Sequence, residues 1–159
     1  MANETKILHD TITALSTLTN LNSLADGNWW QSEEINDPSP SNEAVRIWWQ
    51  IVFNATPVAG DYLWFKLARG DGHASEIWDG GIGTSESEIS TAAAIAAVDQ
   101  APMPQWTHYW ATNHGTTFKG SHTVGLHGHS WQLLISARGE ALASSGHAIH
   151  YEYLTPQAQ

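Results

Sequence analysis

Residues 44–54 alternate strictly: Val45, Ile47, Trp49, Ile51 and Phe53 fall on one side, and Arg46, Trp48, Gln50, Val52 and Asn54 on the other. β-Branched and aromatic residues at period two specify a half-buried strand. They do not suit an amphipathic helix, whose apolar positions recur every three to four residues. Residues 61–68 repeat the pattern, with Leu63, Phe65 and Leu67 inward and Tyr62, Trp64 and Lys66 outward. Thr56-Pro57-Val58-Ala59-Gly60 between them reads as a turn. The two segments are therefore expected to form a hairpin, residues 44–68, at the centre of the fold. Trp49 belongs to its core face and Trp48 to the opposite one.

The remaining signals are also mostly strands. Residues 6–18 are Thr-rich, 27–35 carry the Trp29-Trp30 pair, and 106–112, 116–126, 130–137 and 147–154 are bounded by Gly, Asn or Ser. Asn36-Asp37-Pro38-Ser39-Pro40-Ser41-Asn42 is a loop by composition, and residues 69–83 hold several glycines and read as irregular. Residues 87–100 contain an Ala-rich stretch that Ser85 or Ser87 would cap as a short helix, or that forms a strand and bend. Seven to nine short strands with at most one short helix indicate an all-β fold. The architecture expected is a single antiparallel, jelly-roll-like β-sandwich over residues 1–159, with residues 1–8 as an extended N-terminal arm.

Composition narrows the function. Six Lys+Arg against 16 Asp+Glu give a formal net charge of −10. That balance disfavours phosphate-backbone binding and anionic membranes, so neither nucleic acid nor membrane is expected as a partner. No apolar run approaches the ~20 residues of a spanning helix, and the first residues lack the features of a signal peptide. With no cysteine there are no disulfides or thiol chemistry. Charged residues make up 14% of the chain, against about 25% in an average domain, and Trp is nine of 159. Such a chain suits life in an assembly, or a grip on a flat ligand.

Catalytic patterns are missing. There is no Gly-x-Ser-x-Gly elbow, phosphate loop or dinucleotide fingerprint. Glu33, Glu34, Asp37 and Glu43 surround a Pro-Ser turn and read as solvated, and Arg69-Gly70-Asp71 as a turn after a strand. His127-Gly128-His129 would put two imidazoles on one face of an extended segment. These are weak metal-ligand candidates, because no carboxylate stands at motif spacing and no His-Glu-x-x-His pattern exists, although His122 is near in sequence. The expectation is a non-enzyme without metal or cofactor. The exposed-Trp possibilities are a sugar-stacking platform or a subunit interface. The candidate interface residues are Trp48, Trp64, Trp29 and Trp30.

Several patches resemble small virion structural proteins of tailed bacteriophages. They are Met1-Ala2-Asn3-Glu4-Thr5-Lys6-Ile7-Leu8, the 47–53 strand followed by Thr56-Pro57-Val58-Ala59-Gly60, and Leu63-x-Phe65-x-Leu67-x-Arg69-Gly70-Asp71-Gly72. The likeness continues in Trp131-x-Leu133-x-Ile135, Gly139, Ala141-Leu142 and the 150–159 tail. Together they cover about a third of the chain, and residues 82–113 depart from the pattern. The resemblance implies a capsid decoration or cement protein made in the host cytoplasm and located on the capsid surface of the virion. Its implied partners are the major capsid protein and itself, as a homo-trimer. The alternative is a binding module, either a phage tail or fibre domain or a carbohydrate-binding β-sandwich.

Overall fold

The computed structural model describes residues 6–36, 42–70, 83–109, 115–126 and 130–157. Ten strands and one helix follow in order: β1 (Lys6–His9), β2 (Thr13–Ala14), β3 (Trp29–Gln31), β4 (Ala44–Val52), β5 (Tyr62–Arg69), β6 (Ser87–Ile89), α1 (Ala92–Gln100), β7 (Gln105–Tyr109), β8 (Thr117–Gly125), β9 (Trp131–Arg138) and β10 (Ala148–Gln157). They form two five-stranded antiparallel sheets. One, sheet A, runs β1-β10-β4-β8, with β2 also on β10; the other, sheet B, runs β6-β3-β9-β5-β7. Without the short β2 and β6, each sheet keeps four strands and the chain crosses repeatedly between them, which is jelly-roll topology. The expected all-β sandwich with one short helix is the fold.

The expected 44–68 hairpin does not exist. β4 pairs with β10 and β8, whereas β5 pairs with β9 and β7 in the other sheet. Alternation marks the faces of a strand and is silent about its neighbour. The connection is an arch rather than a tight turn. Phe53 leaves β4 to bridge Leu142, its N–H bonds Thr116 O at 2.8 Å, and Pro57 is buried. The expected arm falls partly on β1. Lys6–His9 is an edge strand paired with residues 154–157, and residues 1–5 lie outside the described part.

Between the sheets lies the main core: Val45, Ile47, Trp49 and Ile51 from β4, Leu63, Phe65 and Leu67 from β5, Trp131, Leu133 and Ile135 from β9, with Trp30 and Ile149. β4 reads half-buried and buried in strict turn, as its sequence dictates. Gly120 on β8 is where the Trp49 indole crosses the neighbouring strand. A Cβ there would stand 2.6 Å from Trp49 Cζ2, so only glycine leaves room. At the margin where β7 faces β8, Trp106 lies coplanar with Phe65 at 5.2 Å and stacks on His122 at 4.5 Å. His108 meets Phe118 edge-on at 4.6 Å.

A third layer covers the outer face of sheet B. Thr91 caps α1, its Oγ1 accepting the Ala94 N–H at 3.4 Å. Ser85 and Ser87 therefore do not cap it, and Ser87 opens β6. Val98 and Met103 pack on Trp29, Ala68 and Leu134 as a second core. Lys66, expected to face solvent, is fully buried beneath the helix end. Its ammonium donates to the carbonyls of Val98, Asp99 (2.9 Å) and Ala101 (3.2 Å) at the helix C-terminus, adding to the N–H groups of Ala101 on Val98 and of Met103 on Ala101. Asp99 Oδ1 accepts from Trp29 Nε1 at 2.7 Å and from Arg138 at 2.8 Å, which pins the same turn to β3 and β9.

His147 ties the arch region to β4. The Val52 N–H donates to Nδ1 at 3.2 Å, so the ring proton sits on Nε2 and donates to Ala143 O at 2.9 Å. Burial lowers the pKa of His147 against the opposing pull of the Ala143 carbonyl, and burial also lowers those of His108 and His122. All three take up protons more readily when unfolded. Stability is then complete above the ordinary histidine pKa of about 6.5 and declines as pH falls from there through the lower folded values, with His147 the main contributor and the solvent-exposed His122 adding little. Denaturant unfolding at pH 7.5 and at pH 5.5 should show this loss, and His147→Ala should flatten the slope while lowering stability at pH 7.5. A protein equally stable at both values would refute the neutral-histidine arrangement.

Candidate functional site

The four aromatic interface candidates separate. Trp29 and Trp30 are 0% exposed. Trp30 points into the main core and Trp29 lies under α1, so neither can meet a partner in the folded chain. This corrects their assignment as interface residues. They are neighbours on a strand whose two faces are both covered, which adjacent bulky side chains on β3 allowed but did not prove. Trp48 and Trp64, expected on one shared face, lie on opposite outer faces of the sandwich, because their strands belong to different sheets. His127 and His129 lie outside the described residues. Among the described residues, no three of His, Asp and Glu stand together so as to hold a metal ion.

The outer face of sheet A is free of any covering element among the described residues. Trp48 stands near its centre, half-buried, between its cross-strand neighbours His150 and Ser121. The Arg46 guanidinium is 5.9 Å from the Trp48 ring centroid. Beside it Glu152, almost wholly buried, holds His9 Nδ1 at 3.0 Å and Arg46 at 3.5 Å. That ion group pairs the only buried acid among the described residues with two partners, so its desolvation is offset. Beyond it the surface turns apolar. Ile7, Ala44, Leu154 and Pro156 line a shallow cleft of about 210 Å³ with Glu43 and Thr123 on its rim. Ile7 is 55% exposed, and Ile12, just past β1, is 58% exposed. An antiparallel sheet facing water is normally polar on that side, so Trp48 and the β1 edge are departures from the pattern.

Sheet B carries a second feature on its outer face, beyond the reach of α1. Tyr62 on β5 and Tyr109 on β7 are direct cross-strand partners with ring centroids 5.3 Å apart. With Trp64, Gln105, Trp106 and Thr107 they line an open groove of about 330 Å³. Trp64 forms one wall and is held firmly: it packs on Trp29 at 5.1 Å, lies 4.9 Å from Lys66 Nζ and 5.3 Å from Arg138 Cζ, and donates its N–H to Gln105 Oε1 at 3.2 Å. Alternation along β5 points Tyr62 and Trp64 outward, whereas nothing in the sequence singles out Tyr109, Gln105 or Thr107. The strand expected at 106–112 is β7, Gln105–Tyr109 in its described part, and its pairing with β5 leaves no mark in the sequence.

No protein-family model matches the chain, and no curated protein does. Among solved structures, it is similar to a family GH115 4-O-methyl-alpha-glucuronidase with specificity for decorated arabinogalactans, at 15% identity and a TM-score of 0.36. The match covers 91% of this chain and 16% of that one. A likeness of that size carries no argument about chemistry.

Proposed function

We propose that this chain is a virion structural protein of the capsid decoration type, which binds the head of a tailed phage and stabilises it as a homo-trimer. The observation that carries the reading is the uncovered outer face of sheet A, with Trp48 at its centre and the apolar cleft and exposed Ile7 at its β1 edge. A flat face with a large aromatic at its centre and polar surroundings suits contact with a broad protein surface, where Trp anchors are enriched. Jelly rolls recur in capsid proteins, a fold-level analogy. The resemblance patches add to it. Their central segments fall on β4, β5 and β9, so the phage-like stretches are the strands that build both sheets.

In this reading the contact area exceeds about 1,000 Å², and the −10 charge keeps the unbound subunit soluble. The test is direct. Light scattering should report a trimer, and the protein should bind heads assembled without it and raise their thermal tolerance. Trp48→Ala and Ile7→Glu should each weaken head binding by about tenfold or more, the loss expected for an anchor worth over 1.4 kcal/mol, while the folded subunit persists. A monomer that ignores such heads overturns the proposal.

A further inference from the structure

The groove on sheet B faces away from the surface just assigned to the capsid, and what it offers a ligand is independent of that assignment. Its walls are flat and aromatic, yet its rim is polar. Tyr62 and Tyr109 present ring faces together with phenol hydroxyls. Thr107 adds a hydroxyl. Gln105 spends its carbonyl on the Trp64 indole and so keeps its NH2 to donate. We propose that this groove is a binding site for a neutral oligosaccharide, with one pyranose ring stacked on Tyr109 and its hydroxyls paired to Gln105, Thr107 and the Tyr62 phenol.

Four observations select that chemistry. First, the volume of about 330 Å³ lies at the small end of the range for ligand sites and is open rather than enclosed. It suits a short stretch of an extended chain. Second, a purely apolar ligand would strand the hydroxyls and the amide without partners, a desolvation cost that a sugar avoids. Third, an anionic ligand would need free cations. Lys66 is committed to the α1 carbonyls and Arg138 to Asp99, and the chain as a whole is acidic. The same shortage disfavours single-stranded nucleic acid, which pairs stacking platforms with a positive groove. Fourth, an extended proline-rich peptide also docks in aromatic-lined grooves. An indole N–H there would serve a peptide carbonyl, but that of Trp64 already belongs to Gln105 and that of Trp106 is buried away from the groove surface.

The groove is also formed in advance. Trp64 is fixed by Trp29, Lys66, Arg138 and Gln105, so little side-chain entropy remains to be lost there when a ligand arrives. Tyr109, 63% exposed, is the platform that a ligand would cover.

The experiment uses the full chain and five neutral hexasaccharides: cello-, xylo-, manno-, malto- and chitohexaose, each titrated to about 10 mM and followed by calorimetry and tryptophan fluorescence. At least one should bind saturably with a Kd between about 10 μM and 1 mM. Tyr109→Ala should weaken that binding about tenfold or more, Tyr109→Phe should keep it within about threefold, and Thr107→Val should weaken it measurably should Tyr109→Ala misfold. Trp48→Ala, on the opposite face, should leave it unchanged, which separates this site from the capsid surface. The proposal is overturned if none of the five binds, if binding survives both Tyr109→Ala and Thr107→Val, or if a proline-rich decapeptide binds the groove and the sugars do not.

Discussion

Replacing Lys66 with methionine is expected to destabilise the protein by about 1–3 kcal/mol, a sizeable part of the 5–15 typical of a whole domain. The methionine chain fills much the same space, so the loss isolates the ammonium. Without it the Asp99 carbonyl loses that donor at a buried helix end, at about 1–3 kcal/mol, while the Val98 and Ala101 carbonyls keep only the N–H groups of Ala101 (3.3 Å) and Met103 (2.8 Å). Burial pushes the Lys66 pKa down, and the Asp99 carboxylate pulls it back up. The carbonyl cage and Asp99 together are what make a buried cation tolerable here. Denaturant unfolding measures the loss, and amide exchange along α1 localises it. A change below about 1 kcal/mol would mean that apolar packing alone seals the helix.

The second large effect is a contrast between neighbours. Trp49→Ala should cost about 3–5 kcal/mol, since it empties the space beneath Gly120 and beside Phe65, whose ring lies 4.5 Å away. Trp48→Ala should cost less than about 1 kcal/mol, because the side chain is partly in solvent on the outer face of the sheet, with Arg46 over its ring. Paired melts of the two variants decide the matter. Equal losses would place both indoles in one core and refute the strand geometry.

The sandwich was legible in the sequence because one of its two sheets obeys the simple rule. β4 is dry on one face only, and its residues alternate accordingly. Sheet B breaks the rule, and the errors gather there. In β9, Trp131–Ala137 are buried without interruption, and in β5 Lys66 and Ala68 are as dry as Phe65 and Leu67. A strand covered on both sides is a nearly continuous apolar run, and Trp131-Gln132-Leu133-Leu134-Ile135 carries that signal. What it cannot say is which element lies over it, so Lys66 and Trp29 looked like surface. The candidate site suffered from the same blindness to partners. Tyr62 and Tyr109 are far apart in the chain and become a pair only through the β5–β7 register.

The strand order has a consequence for how the molecule is made. β10 supplies the partners of β1, β2 and β4, and β9 sits between β3 and β5. One inner strand of each sheet, β10 and β9, thus comes from residues 131–157 and is made after every strand it pairs with. Until they emerge, β1 and β3 have nothing to pair with in their own sheets except the short β6, and most of the apolar faces stay wet. Folding of this chain therefore waits for residues 131–157 and is dominated by distant contacts, the slow class of topology. Its newly made strands must be kept from one another's edges for the whole of that interval.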